Sequence, residues 1–178
     1  MFVLESFVPR RFERFLLLCL AFASFSLSTP PARADFSEQR QVFLDAENAF
    51  RKGDYDKFRD LSARLKEYPL YPYLLFMDIQ KNLGLEKETQ VLSFMNDWDG
   101  SPLSRQLRQT WLAHLAGNKH WLRLVRDYRE PASQSVQCSH ARALIETGAL
   151  ENAWLEAEKL WLHGQSRPRE CDPVFDAW

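Results

Sequence analysis

Glutamates are numerous in this sequence, and a carboxyl group at the right pKa can act as a general acid or base. Cleaving a glycosidic bond needs at least one such acid held in an apolar cleft with a raised pKa. Most glutamates here are expected on the polar faces of helices, where a carboxylate stays solvated. We therefore predict no catalytic residue among them. The candidates are Glu47, Glu67, Glu86, Glu88, Glu146, Glu151, Glu156 and Glu158.

Four histidines could serve as bases or as metal ligands: His114, His120, His140 and His163. They fall on several predicted helices, and a Ser-His-Asp or Cys-His arrangement stays open from sequence alone. His140 is two residues from Cys138, yet the sequence contains no CxxC or HxxxH pair of the kind that zinc sites use. We predict neither a metal site nor a cofactor.

Three tyrosines, Tyr68, Tyr71 and Tyr73, form the densest aromatic group. Aromatic rings can stack on sugars, so these residues are candidates for contact with a glycan. The alternative, which we favour, is that they pack an irregular corner between two helices and turn their hydroxyl groups to water.

The first 34 residues have the pattern of a secretory signal peptide. Arg10, Arg11 and Arg14 precede the uncharged apolar stretch 15–27, and Ala32-Arg33-Ala34 is a small-residue cleavage site. An uncleaved membrane anchor is the alternative, but a stretch of 13 residues falls short of the roughly 20 that span a bilayer. We expect cleavage between Ala34 and Asp35, and hence a periplasmic protein with no membrane contact afterwards.

Removal of that segment takes away Cys19 and leaves two cysteines, Cys138 and Cys171. An even number in an oxidising compartment favours a disulfide over two buried free thiols. The loop that it would close is worth roughly 4 kcal/mol in the chain-entropy account.

Charge argues against one class of partner. The whole chain carries a formal net charge of −1. Residues 1–34 hold four arginines and two glutamates, so the remainder carries −3. A nucleic-acid binder would show a basic footprint, and this composition predicts no nucleic-acid partner.

Helical periodicity recurs from residue 35 to residue 178, without the strict alternation of a strand. In the clearest segment, Ser101 is the N-cap, Pro102 the first helical residue and Gly117 the end. Seven further segments show an apolar face at helical spacing: Val42, Ala46 and Phe50; Phe58, Leu61 and Leu65; Leu75, Phe76 and Ile79; Val91, Met95 and Trp98; Trp121, Leu124 and Tyr128; Cys138, Ala141 and Leu144; and Ala153, Ala157, Leu160 and Trp161. We expect Pro69 to end the second of these helices and Pro72 to lie in the first turn of the third.

Two inter-helix turns, at Gly53-Asp54-Tyr55 and Gly148-Ala149-Leu150, resemble those of tetratricopeptide-like repeats. The sequence therefore predicts an all-α, right-handed superhelix-type solenoid of short antiparallel helix pairs, with tryptophans as core wedges. Asp172 and Pro173 look like the start of another helix. The chain ends soon after, so we expect a truncated solenoid; a short turn docked on the preceding helix is the alternative.

Three stretches together resemble a known family. They are residues 67–74 (EYPLYPYL), Gln137-Cys138, and residues 160–164 (LWLHG) continued by Pro168 and Cys171-Asp172. They are similar to the N-terminal region of soluble lytic murein transglycosylases. The resemblance implies that residues 35–178 are the start of that family's U-shaped superhelix, and that Cys138 and Cys171 are its disulfide. It also implies peptidoglycan as the partner of the full-length enzymes, which cleave MurNAc-GlcNAc strands to 1,6-anhydromuropeptides.

The sequence departs from the family at the catalytic residue. The family's acid/base glutamate lies in a Glu-Ser motif of a lysozyme-like domain, and the one Glu-Ser pair here is Glu5-Ser6, inside the predicted signal. We therefore expect a peptidoglycan-associated arm that is inactive alone, without the linker and catalytic domains. The competing hypothesis is a self-standing periplasmic tetratricopeptide-like module that binds a protein partner.

Overall fold

A computed structural model describes residues 36–164 and 166–178. The chain divides into two compact units, Met1–Glu38 and Gln39–Trp178, and nearly all of the first lies outside the described residues. The predicted signal peptide and its cleavage site at Ala34 and Asp35 fall there as well. The described residues comprise the second unit, apart from residue 165, and residues 36–38 of the first.

The described residues form nine α-helices and two 3-10 helices, without a strand. The helices are α1 (Ser37–Lys52), α2 (Tyr55–Ala63), α3 (Tyr71–Lys81), α4 (Glu88–Asp97), α5 (Pro102–Gly117), α6 (Trp121–Asp127), α7 (Gln134–Glu146), α8 (Leu150–Trp161) and α9 (Asp172–Ala177), with 3-10 helices at Leu85–Lys87 and Arg169–Cys171. None of them is long and apolar enough to cross a membrane.

Local signals set several of these boundaries. Ser101 caps α5, its hydroxyl accepting from the Ser104 backbone N–H at 3.0 Å, and Pro102 is the first helical residue. Asp54 caps α2 by accepting from the Lys57 N–H at 3.2 Å. Gly148 turns the chain between α7 and α8 at φ +82°, a conformation that L side chains disfavour. The predicted helix starts and turns at these places are confirmed.

From α3 onward, the helices stack in two layers. In one layer α5 packs against both α3 and α7, and α7 packs against α9. In the other, α4, α6 and α8 each contact the two first-layer helices that precede and follow them in sequence. Contacts therefore run between helices close in sequence, which is the pattern of a repeat stack. This confirms the predicted all-α solenoid.

The core is correspondingly divided into three clusters that follow one another along the chain. Trp111 is the largest fully buried side chain and lies in the middle cluster. It is the core wedge that the sequence predicted. The same prediction is wrong for Trp161 and Trp178, which are 60% and 51% exposed.

Two predicted boundaries need correction. Helix α2 ends at Ala63, well before Pro69, because residues 64–68 form successive turns that bury Leu65. Asp172 is the first residue of α9 rather than its N-cap, since the 3-10 helix Arg169–Cys171 leads directly into it. Helix α9 itself is docked, with Val174 fully buried beside Leu160.

Candidate functional site

The most extensively bonded charged groups join α4, α5 and α6. Glu88, at the start of α4, accepts from Arg123 Nε at 3.0 Å and from Arg126 Nη2. Arg126 also donates to the neighbouring Asp127 carboxylate at 2.6 and 2.9 Å. The indole N–H of buried Trp111 donates to the same carboxylate at 2.9 Å. We call Glu88, Trp111, Arg123, Arg126 and Asp127 the inter-helix network.

The network keeps its carboxylates ionised. Hydrogen bonds from Arg126 and Arg123 outweigh the effect of burial and lower the pKa of Glu88. Burial would raise the pKa of Asp127, but hydrogen bonds from Arg126 and Trp111 outweigh it, and the net shift is downward. A general acid for glycan cleavage needs a raised pKa, so these two groups are suited to holding helices together and not to donating protons.

Two of the four histidines lie against aromatic rings. His140 on α7 stacks on Tyr128, with ring centroids 3.8 Å apart and planes 3° from parallel. Burial lowers the pKa of His140, although Glu156 and Glu130 oppose the shift. Burial also raises the pKa of Tyr128 to about 12, assisted by the same two carboxylates. His114 lies face to face with Trp111, at 5.8 Å between centroids.

Within the described part of the chain, no group of three or more His, Cys, Asp or Glu side chains is placed to hold a metal ion. His140 and Cys138, which the sequence brings within two residues, are both engaged elsewhere. His140 stacks on Tyr128, and Cys138 lies beside Cys171.

Cys138 and Cys171 are paired across α7 and the end of the second 3-10 helix, with Cα atoms 4.8 Å apart. That separation lies within the range that a disulfide spans. Both residues are fully buried and pack with Leu160 and Val174. The pair thus joins the last described segment to the body of the solenoid, and the bridge itself stays a prediction for chemical analysis.

The three tyrosines have different surroundings. Tyr68 is 6% exposed and packs against Phe43, with ring centroids 5.8 Å apart. Tyr71 is partly buried against the same cluster. Tyr73 is 49% exposed. Tyr73 therefore offers the largest exposed ring of the three, and stacking on a glycan stays a prediction.

A groove of about 590 Å³ lies between α5 and α7. Sequence reasoning missed it because it forms between residues more than twenty positions apart. Its lining is mostly small and hydroxyl-bearing, with one aromatic ring and one charged side chain of each sign: Gln109, Thr110, Ala113, Ala116, Gly117, Trp121, Ser133, Ser135, Val136, Ser139, Arg142 and Glu170. Its volume falls in the range of small-ligand sites.

No known protein-family profile matches the chain. The chain is 34% identical over 149 residues to the soluble lytic murein transglycosylase of Escherichia coli strain K12, and equally so to that of Salmonella typhimurium. In both cases the match covers 83% of this chain and 23% of the relative. The chain thus spans about a quarter of the length of these relatives.

Solved structures give the same result. The crystal structure of the 70 kDa soluble lytic transglycosylase Slt70 from Escherichia coli superposes with a TM-score of 0.74 at 32% identity, over 79% of this chain and 23% of that one. An inactive mutant of the lytic transglycosylase Slt from Pseudomonas aeruginosa superposes with a TM-score of 0.67 at 26% identity, over 77% and 22%. The chain is therefore homologous to one helical portion of the soluble lytic murein transglycosylases.

Proposed function

We propose that the chain is exported, cleaved after Ala34, and acts in the periplasm as a helical module associated with peptidoglycan. The observation that carries this proposal is the homology to proteins named for murein, over most of the chain and with the same fold. The signal pattern of residues 1–34 supports the export step.

The module is inactive as a transglycosylase on its own. Three carboxyl groups of the described chain have shifted pKa values, Glu88, Asp127 and Glu170, and all three are shifted downward. That direction favours the ionised form, whereas the acid of a glycan-cleaving site needs the opposite shift.

Co-sedimentation with purified murein sacculi tests the association. We expect the purified chain to pellet with sacculi and to stay in the supernatant without them. Recovery in the supernatant at all sacculus concentrations would contradict the proposal. N-terminal sequencing of protein from a periplasmic extract tests export, and it should read from Asp35.

A protein partner is the second candidate, favoured by an exposed apolar surface on α8 and α9. Trp161 contacts Phe175 and Trp178, with ring centroids 5.1 and 6.3 Å apart, and Leu162 is 72% exposed beside them. Apolar patches of this kind often mark protein contacts. A stoichiometric partner recovered from periplasmic extract, together with no affinity for sacculi, would favour this candidate over the first.

A further inference from the structure

The groove between α5 and α7 is built from two helices whose facing sides are small. Ala113, Ala116 and Gly117 leave room on α5, and Ser135 and Ser139 line the α7 side. Trp121 and Glu170 also line it, from the start of α6 and from the second 3-10 helix. Four separate elements therefore fix the lining, which gives the groove a preformed shape.

One rim of the groove is braced by a side-chain amide. Gln109 donates from Nε2 to the Pro131 carbonyl at 3.3 Å, and its Oε1 accepts from the Ser133 N–H at 3.1 Å. Both ends of this amide are thereby used within the protein. Gln109 therefore holds the loop before α7 against α5.

Two of the hydroxyl groups in the lining, those of Thr110 and Ser139, are oriented as acceptors toward the groove. Thr110 Oγ1 donates to the Gln106 carbonyl at 3.0 Å, and Ser139 Oγ donates to the Ser135 carbonyl at 2.9 Å. The hydroxyl hydrogens of these two residues are therefore committed to their own helices, while their oxygen lone pairs can accept from a ligand. Glu170 adds a carboxylate, whose pKa is lowered by hydrogen bonds from its own backbone and from Ser135.

Arg142 and Trp121 supply donors and a flat surface. The Arg142 guanidinium lies over the Trp121 ring, 5.3 Å from its centroid. Its Nε reaches Glu146 at 3.5 Å, which leaves the terminal N–H groups for other acceptors. The groove lining therefore places guanidinium N–H donors beside an aromatic ring.

This combination suits an uncharged ligand rich in hydroxyl and amide groups. The lining holds one charged side chain of each sign, Arg142 and Glu170, so it carries no net charge to favour a phosphate or a polycation. Large aliphatic side chains, which would form pockets for peptide side chains, are nearly absent from the lining. A sugar presents adjacent hydroxyls that both donate and accept, and its acetamido group adds a carbonyl for an arginine.

We propose that the groove between α5 and α7 binds N-acetylated hexosamine residues of a glycan strand. The inference rests on the proposed association with peptidoglycan and names the surface and the ligand class responsible for it. The stem peptides are then not the part that this groove recognises.

Three variants of the full purified chain test the assignment. Ala113→Trp fills the groove from an exposed position of α5, and Ser139→Ala removes one acceptor without adding bulk. Asn152→Trp introduces the same indole at an exposed position of α8, outside the groove, and is the matched control. Far-ultraviolet circular dichroism and thermal unfolding show whether each variant is folded like the parent.

Two readouts separate this inference from the proposed function. The first is the affinity for sacculi, where Ala113→Trp should bind at least about tenfold more weakly, Ser139→Ala about threefold more weakly, and Asn152→Trp like the parent. The second is NMR titration with the N-acetylglucosamine tetramer, which should shift the Trp121 indole N–H signal in the parent and not in Ala113→Trp.

The results distinguish a failure of the groove assignment from a failure of the proposed association with peptidoglycan. Parent-like sacculus binding by Ala113→Trp would overturn the groove while leaving the association with peptidoglycan intact. Binding to isolated stem peptides but not to the sugar tetramer would also overturn it. Absence of sacculus binding by the parent would contradict the proposed function, and the tetramer titration would then decide the groove by itself.

Discussion

Replacing Asp127 by alanine removes the acceptor shared by Arg126 and by the buried indole of Trp111. The Asp127 side chain is 5% exposed, and Trp111 is fully buried. A buried donor left without an acceptor lowers the stability of the folded chain by about 1–3 kcal/mol, and a hydrogen bond to a charged group contributes about 1.5–3 kcal/mol. Because both losses arise at one site and are not additive, we expect the free energy of unfolding to fall by about 3 kcal/mol.

Equilibrium urea unfolding measures this change. With a slope of about 2 kcal/mol/M, the midpoint of Asp127→Ala should fall by about 1.5 M. The matched control is Asp56→Ala, which removes an ion pair with Arg59 between two exposed side chains and should leave the midpoint where it was. Equal midpoints for Asp127→Ala and the parent would refute the structural role given to the inter-helix network.

The pH dependence of stability gives a second test of the same residue. Because the pKa of Asp127 is lower in the folded chain than in the unfolded chain, its contribution is fully present above the unfolded value of about 3.9 and is lost as the pH falls through the folded value. The parent should therefore lose stability in acid more steeply than Asp127→Asn, which cannot titrate. Parallel curves for the two proteins would contradict the shift.

The remaining predictions concern the disulfide, one turn and one histidine. Non-reduced tryptic digestion should give one peptide pair linking Cys138 to Cys171, and reduction should lower the free energy of unfolding by about 2–4 kcal/mol; two free thiols would contradict the bridge. Gly148→Ala should destabilise by about 1 kcal/mol in urea unfolding, because φ is +82° there and no atom lies within 4 Å to add a steric cost. Gly117→Ala, at a helical glycine that is equally unobstructed, should instead be neutral or stabilising, and a loss like that of Gly148→Ala would show that φ is not the cause. His140 should titrate below its ordinary pKa of about 6.5 by NMR, so that stability falls as the pH drops below about 6.5; a midpoint at or above 6.5 would contradict its burial.

Much of the fold could be predicted because its signals are local. Ser101 and Pro102 mark the start of α5 through a cap three residues away and a fixed φ, and Gly148 marks a turn through its positive φ; such effects are readable from a single sequence. At Leu65 the local pattern and the tertiary structure differ. Its apolar spacing fits a helix, but tertiary burial holds it in a turn after α2 has ended.

The contacts of the candidate site were beyond prediction because they depend on how helices cross. Trp111 and Asp127 are 16 residues apart, and Glu88 and Arg126 are 38 apart. No periodicity indicates which indole meets which carboxylate. The exposure of Trp161 and Trp178 could not be predicted either. The residue type indicates how often a side chain is buried, but whether it is buried here depends on how its helix packs against the others.

The proposed function is tested most directly by incubating the purified chain with murein sacculi and analysing the soluble products by mass spectrometry. We expect the chain to co-sediment with the sacculi and to release no 1,6-anhydromuropeptides above a heat-inactivated control. Release of 1,6-anhydromuropeptides by the chain alone would contradict its assignment as a binding module without catalytic activity.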